Sequence, residues 1–388
     1  LNALALLIPQ EILSKIKNIS KKILVYEDLS FHVPKTFRGS SSKKTQNHDA
    51  LMLLKALKAS KELHYLNGEG VRLGVVDTGI DYEHKAFKSQ NGHERIVFGK
   101  DLVGSDYNPE SKDFSRRLPQ AGAYAFDERG HGTHVAGIMA GSSFEGYEGG
   151  LAPQAKIVPL KVFGRSGGTS TAVLLKALEY LLDPNEDLNP EDHVDIINLS
   201  IGRAFGRPYS LYEQVIKRLS RYGILTVVSA GNSGNIPFVV GSPGVSKEAL
   251  TVGAFGRRHL SLSPFLTRFS SRGPRSFDGL LKPEVLAPGL RILAPQLNSQ
   301  DKLTEMSGTS MAAPFISGLA ALLKQQNPKR QAAELRSLIL SSAQNIFKDK
   351  KKKKLYSPSQ QGLGVVKAFK SLRLKLHLSK PLISFGVL

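Results

Sequence analysis

The chain has 388 residues, 41% of them hydrophobic and 22% charged, which is the composition of a folded protein with one large core or two modest ones. It has no cysteine, so a disulfide framework, a thiol nucleophile and a thiolate zinc site are excluded. No apolar run reaches the about 18 residues of a membrane-spanning helix, and the net charge of +20 points first to an anionic partner.

The position of that charge matters more than its sum. Residues 1–61 carry 11 Lys/Arg against 4 Asp/Glu and residues 324–388 carry 15 against 2, whereas residues 62–323 carry 27 of each. The excess lies at the two ends, around a neutral middle. With no aromatic-basic motif and no reading helix, a nucleic-acid partner is not expected.

The chain opens at Leu1 with a short apolar stretch, residues 1–8. Beginning at leucine and not methionine, the chain reads as a fragment or a processed product, and the apolar stretch lacks the basic flank and small-residue cleavage site expected of a signal peptide. Residues 39–44 (GSSSKK) form a polar linker after Pro34. From about residue 50, short apolar runs alternate with helical periods. Strands are expected at 71–76, 157–162, 194–199, 224–229 and 250–254, and helices at 134–140, 170–182, 210–222 and 311–325. Strand–helix alternation with glycine-rich joints predicts an α/β fold, a doubly wound, mostly parallel sheet flanked by helices. In such a sheet the chemistry sits at the carboxyl ends of the strands.

Three segments at those ends carry reactive groups. Asp77 ends an apolar strand in VVDTG, His131 opens a helix in GHGTHVAG, and Ser310 opens another in SGTSMAAP. A hydroxyl is a poor nucleophile unless a histidine takes its proton, and that histidine needs a carboxylate to fix its tautomer. Each residue alone has a plainer reading, as a turn aspartate, a packed helix histidine or a serine N-cap. Their co-occurrence in three glycine-flanked segments removes the plainer readings. His134 is expected to be a packed helix residue, since its ring falls on the other side of the helix start.

These segments resemble the subtilisin-like serine proteases (subtilases), in the DTGID, HGTHVAG and GTSMAAP motifs, in AGNSG at 230–234, and in FSSRGP and LKPEVLAPG at 269–274 and 281–289. The likeness runs from about residue 60 to 372. It implies a serine endopeptidase acting on polypeptides with no redox or organic cofactor. Ser310 would be the nucleophile, His131 the general base and then acid, and Asp77 the residue that orients the imidazole. Asn232 and the backbone N–H of Ser310 would form the oxyanion hole. For substrate binding the resemblance points to Gly167 and Gly168, which would pair with an extended peptide, and to Ser200, Ile201, Gly202, Ala230, Gly231 and Gly241 around the pocket for the residue before the scissile bond. A glycine at 241 is expected to leave room for large apolar residues there.

Calcium is where the family pattern breaks. The carboxylate expected nine residues after the catalytic aspartate is Ala86, and the loop 141–150 (GSSFEGYEGG) lacks the usual asparagine-rich run. Hard cations need clustered oxygen ligands, so the common family calcium site is not supported, leaving Glu145 or Glu148 as sources of another.

The basic ends acquire an explanation from the same resemblance. Residues 1–35 are similar to the second half of a subtilase propeptide, with a strand at 3–7, a helix led by Pro9 at 9–19 and a strand at 23–28. Such a propeptide would act as an intramolecular inhibitor, with a processing point between residues 32 and 60. Residues 36–60 would form the linker and the start of the catalytic domain, 61–372 the peptidase domain, and 373–388 a β-rich tail. Lys350, Lys351, Lys352, Lys353 and Lys354 form a block usual for a solvated loop, with contact to an anionic surface as its functional alternative. A secreted or envelope-associated enzyme is expected, and an inactive binding protein of the same fold is the competing class.

Overall fold

A computed structural model describes residues 28–38, 62–88, 94–187, 189, 192–208, 211–257, 263–349, 351–375 and 378. The expected propeptide elements at 3–7 and 9–19, all of 23–28 but Asp28, nearly all of the linker and most of the tail lie outside these residues.

In chain order the strands are β1 (Ser30–His32), β2 (Phe37–Arg38), β3 (Arg72–Asp77), β4 (Lys100–Asp101), β5 (Lys156–Lys161), β6 (Gly168–Ser170), β7 (Ile196–Leu199), β8 (Leu225–Ser229) and β9 (Leu250–Gly256). They continue with β10 (Phe265–Leu266), β11 (Val285–Pro288), β12 (Ile292–Pro295), β13 (Leu303–Ser307), β14 (Phe347–Asp349) and β15 (Lys354–Leu355). The helices are α1 (His131–Ala140), α2 (Thr171–Tyr180), α3 (Leu211–Arg221), α4 (Thr309–Gln326), α5 (Ala332–Ser342), α6 (Pro358–Gln361) and α7 (Ala368–Arg373).

The central sheet has eight strands, in the order β10-β9-β8-β7-β3-β5-β4 with β11 also on β9. Every pair in it is parallel except β10 with β9. Both faces are covered, so the strands read as continuous apolar runs. The period of two then divides their side chains. Leu73, Val75, Ile196, Leu225 and Val227 join α1, α4 and α5 in one core. Val76, Ile197, Leu199 and Val228 join α2 and α3 in the other. This is the doubly wound arrangement expected, with boundaries shifted by a few residues.

Three features were not expected. The chain's own β1 pairs antiparallel with β6, and Phe31 at its centre is fully buried in the second core. β2 adds an edge to the β12–β13 ribbon, with Phe37 opposite Ser307. The lysine block, expected as a plain loop between helices, is bracketed by the β14–β15 hairpin, and Lys351–Lys354 are exposed. Among the described residues, no helix is long and apolar enough to cross a membrane.

Candidate active site

The carboxyl ends of β3, β7 and β8 and the N-termini of α1 and α4 meet at one place, and each brings a polar group. Asp77 is the last residue of β3 and is fully buried. His131 is the first residue of α1, and its Nδ1–H donates to Asp77 Oδ1 at 2.7 Å. The same oxygen accepts the Thr78 backbone N–H at 2.7 Å. His131 Nε2 is buried and makes no hydrogen bond among the described residues. The two segments approach so closely that a Cβ on Gly132 would lie 2.2 Å from the Gly79 carbonyl oxygen, and Gly79 itself has φ +109°. The glycines flanking both motifs are therefore a condition for the Asp77–His131 bond to form.

Ser310 is the second residue of α4 and is fully buried. Its neighbourhood depends on Pro314, four residues on. A proline has no N–H to donate to the carbonyl one turn back. The Ser310 carbonyl instead accepts Ser200 Oγ–H at 2.9 Å, while Ser310 Oγ lies 3.4 Å from the Ser200 carbonyl oxygen. Ser200 Oγ in turn accepts Asn198 Nδ2 at 3.0 Å, and Asn198 Oδ1 accepts Ser317 Oγ–H at 2.9 Å. A buried polar chain thus ties the helix bearing Ser310 to the end of β7.

Asn232, in the loop after β8, uses both ends of its amide. Oδ1 accepts the Thr309 N–H and Oγ–H, each at 2.9 Å, and Thr309 Oγ1 accepts the Gly231 N–H at 3.1 Å. Nδ2 is thereby aimed outward, and it donates to the Lys35 carbonyl oxygen at 3.1 Å. That contact lies on a strand-like path. Residues 30–32 pair with 168–170, Val33 N–H donates to the Gly167 carbonyl at 2.9 Å, and residues 37–38 pair with β13. The segment 28–38 therefore runs across the site and is held by backbone pairing on both sides of it, the mode expected of an extended peptide. Phe31 stacks edge-on against Tyr212 at 5.7 Å, within the core that also holds Tyr107 and Ile201. Burial pushes the Tyr212 phenol above its usual range. His32 and Lys35 project outward, and Gly202 lines the cleft beside β1.

Ala230 and Gly241 are joined by a 3.3 Å backbone bond from the Gly241 N–H. The backbone around Gly241 also calls for a glycine. Arg203 and Ser242 exchange backbone bonds of 3.0 and 2.9 Å, and a Cβ at 241 would lie 2.5 Å from the Arg203 carbonyl oxygen. His134 is buried, with Nε2 at 3.1 Å from the carbonyls of both Ile292 and Thr304, as a packed helix residue should be.

Sequence reasoning passed over Asp127, four residues before His131. Its Oδ1 accepts Thr78 Oγ–H (2.8 Å), Arg129 N–H (2.8 Å) and Gly130 N–H (2.9 Å), and its Oδ2 accepts Thr133 N–H (2.9 Å) and Thr133 Oγ–H (2.6 Å). It does the work of an N-cap for α1 and holds Thr78, the neighbour of Asp77, against it. The available signal was a carboxylate just ahead of a helix start whose own cap position is glycine.

The residues present do not fit the family's common calcium site. Ala86 is fully buried and offers no side-chain oxygen, and its carbonyl is taken by the Ser142 N–H at 2.7 Å. Phe144 packs on His84 and Tyr147 at centroid distances of 5.6 and 5.3 Å, and Ser142 Oγ accepts from the cationic Arg95 at 2.6 Å. Elsewhere, Asp183, Asp187 and Asp192 gather carboxylate oxygens within 4.8 Å on the surface, and among the described residues nothing else there points to an ion.

A sequence profile of the subtilase family (peptidase S8) matches residues 68–364. The chain is 34% identical to serine protease AprX of Bacillus subtilis over 79% of this chain and 67% of that one. It is 32% identical to the cell wall-associated protease of the same organism, over 71% of this chain but 26% of the relative. With subtilisin DY of Bacillus licheniformis the identity is 28%, over 76% and 90%. With the profile spanning well over half its length, the chain belongs to the subtilase family of serine endopeptidases.

Proposed function

We propose that the chain hydrolyses peptide bonds through Asp77, His131 and Ser310 by way of an acyl-enzyme. Ser310 Oγ attacks the carbonyl carbon while its proton passes to His131 Nε2. The carbonyl electron pair becomes an oxyanion held by Asn232 Nδ2–H and the Ser310 N–H. Collapse breaks the C–N bond, and the departing amine takes the proton from His131. Water, deprotonated by the same nitrogen, then hydrolyses the ester and restores Ser310. The carrying observation is the placement of Asn232, whose amide is held by Thr309 and donates to a peptide carbonyl on a strand-paired segment. Labelling by a fluorophosphonate, absent in Ser310→Ala, is the expected result; no labelling of the processed chain would sink the reading in favour of an inactive protein of the same fold.

Residues 28–35 are read as the C-terminal end of an inhibitory propeptide, with Thr36, Phe37 and Arg38 on the far side of the bond that would be cut. Because the carbonyl at the Asn232 amide belongs to Lys35, the bond assigned for self-cleavage is Lys35–Thr36. Active chain should therefore start at Thr36 or beyond by intact-mass analysis, and Ser310→Ala should stay uncut. One of the relatives reported above is named as cell wall-associated, which supports a secreted or envelope-associated enzyme here. The exposed lysines of the β14–β15 hairpin would then face an anionic surface. Salt-sensitive retention on anionic vesicles, lost when Lys351–Lys354 become glutamine, tests that contact.

A further inference from the structure

Arg95 is a buried cation that the chemistry above does not use. It is 6% exposed, and burial lowers its guanidinium only to about 10, so it stays charged near neutral pH. Among the described residues, its donors do not go to a carboxylate. Nη2 donates to the Ala140 carbonyl at 2.6 Å, Nη1 to Ser142 Oγ at 2.6 Å and Nε to the Ala155 carbonyl at 3.2 Å. Ala140 is the last residue of α1, the helix that starts at His131. Carbonyls at a helix C-terminus lack intrahelical donors and carry partial negative charge, so a cation is favoured there.

The same guanidinium holds the first side chain of the loop 141–150. That loop is then closed by its own groups: Gly150 N–H to the Gly141 carbonyl at 2.8 Å, Tyr147 Oη–H to the Gly137 carbonyl at 2.7 Å, and the stacked rings of His84, Phe144 and Tyr147. This is the loop whose residues, with Ala86, do not fit the family's common calcium site. We propose that Arg95 is a positioning residue, a fixed cation that anchors the C-terminal end of α1 and its loop in place of a divalent ion. The far end of that helix carries His131, so the anchor serves catalysis without touching substrate, and neither fold nor activity requires calcium.

The test pairs metal manipulation with substitution. Melting is followed in the Ser310→Ala background, where self-digestion cannot distort it, and kinetics in the active chain. The Tm is expected to be the same in millimolar calcium and in excess chelator. Arg95→Met is expected to lower Tm by roughly 5 °C or more in both. In the active chain it should lower kcat about tenfold with KM little changed, as expected of a disturbed reacting geometry, and Arg95→Lys should recover part of both losses. If Arg95→Met does not fold, Ser142→Ala removes one of the three bonds and should show smaller losses with the same split. A chelator that lowers the wild-type Tm overturns the inference, as does an unchanged Tm and kcat in Arg95→Met and Ser142→Ala. The melting arm needs no activity, so it remains readable even if the endopeptidase reading fails.

Discussion

The seat of Phe31 gives the most direct measure of how tightly residues 28–38 hold the cleft. The side chain is fully buried, meets Tyr212 edge-on at 5.7 Å, and belongs to the same core as Tyr107 and Ile201. Truncating a buried phenylalanine to alanine costs about 3–5 kcal/mol. Taking the lower end, because the cleft regains water when the ring leaves, gives about 3 kcal/mol, or roughly 10² in an inhibition constant. His32 is the internal control. Its side chain is 60% exposed and faces Glu110 at 3.2 Å, an exposed pair worth at most about 1 kcal/mol, or roughly fivefold. The assay is inhibition of the processed enzyme by peptides spanning Asp28–Arg38, read before they are hydrolysed. A Phe31→Ala peptide within threefold of the parent, or a His32→Ala peptide that weakens more, would refute the idea that this contact anchors the segment.

Other substitutions separate roles that the site combines. Asn232→Ala should lower kcat by about 10²–10³, the size known for loss of one oxyanion donor in a subtilisin, and should also lower Tm through the lost Thr309 bonds; Asn232→Asp keeps those acceptors, so it should spare Tm but not kcat. Asp127→Asn turns one acceptor of a five-bond carboxylate into a donor, leaving Thr133 N–H or its counterparts unmatched; about 2 kcal/mol of stability should go, with kcat falling more than KM rises. Burial, only partly offset by the Glu284 carboxylate, lowers the Lys282 ammonium from 10.5 to about 8. Between those values the unfolded chain keeps a proton that the folded chain has released, so this residue makes stability rise with pH there. Lys282→Met should give a flatter dependence of Tm on pH over that window than the wild type.

What could be read from the sequence follows from how far each interaction reaches along the chain. The strands β3, β5, β7, β8 and β9 announce themselves because a parallel strand buried on both faces must be an unbroken apolar run, whatever lies beside it. The helices opening at His131 and Thr309 are marked by glycine at the preceding position. By contrast, the pairing of Ser30–His32 with Gly168–Ser170 joins segments far apart in sequence, and three residues carry too little pattern to name their partner. The polar chain Ser317–Asn198–Ser200 and the reach of Arg95 to Ala140 and Ser142 share that limit. Each polar residue there has an ordinary surface reading until the fold buries it beside its partner.

The motifs themselves prove to be as much about backbone as about chemistry. Of the residues that make DTGID, HGTHVAG and GTSMAAP recognisable, only Asp77, His131 and Ser310 are assigned to reaction steps. Gly79 and Gly132 are present because two backbones meet where no Cβ fits, and without that approach Nδ1 of His131 could not lie 2.7 Å from Asp77. Pro314 leaves the Ser310 carbonyl without its helical donor, and Ser200 takes the vacancy, which binds the helix of Ser310 to the end of β7. A chain that kept the three reactive residues but placed alanine at 79 and 132 would hold the same functional groups and lose the geometry that connects them. The glycines and the proline are therefore functional positions in their own right, and they explain why a short string of residues can identify a site assembled from segments more than two hundred positions apart.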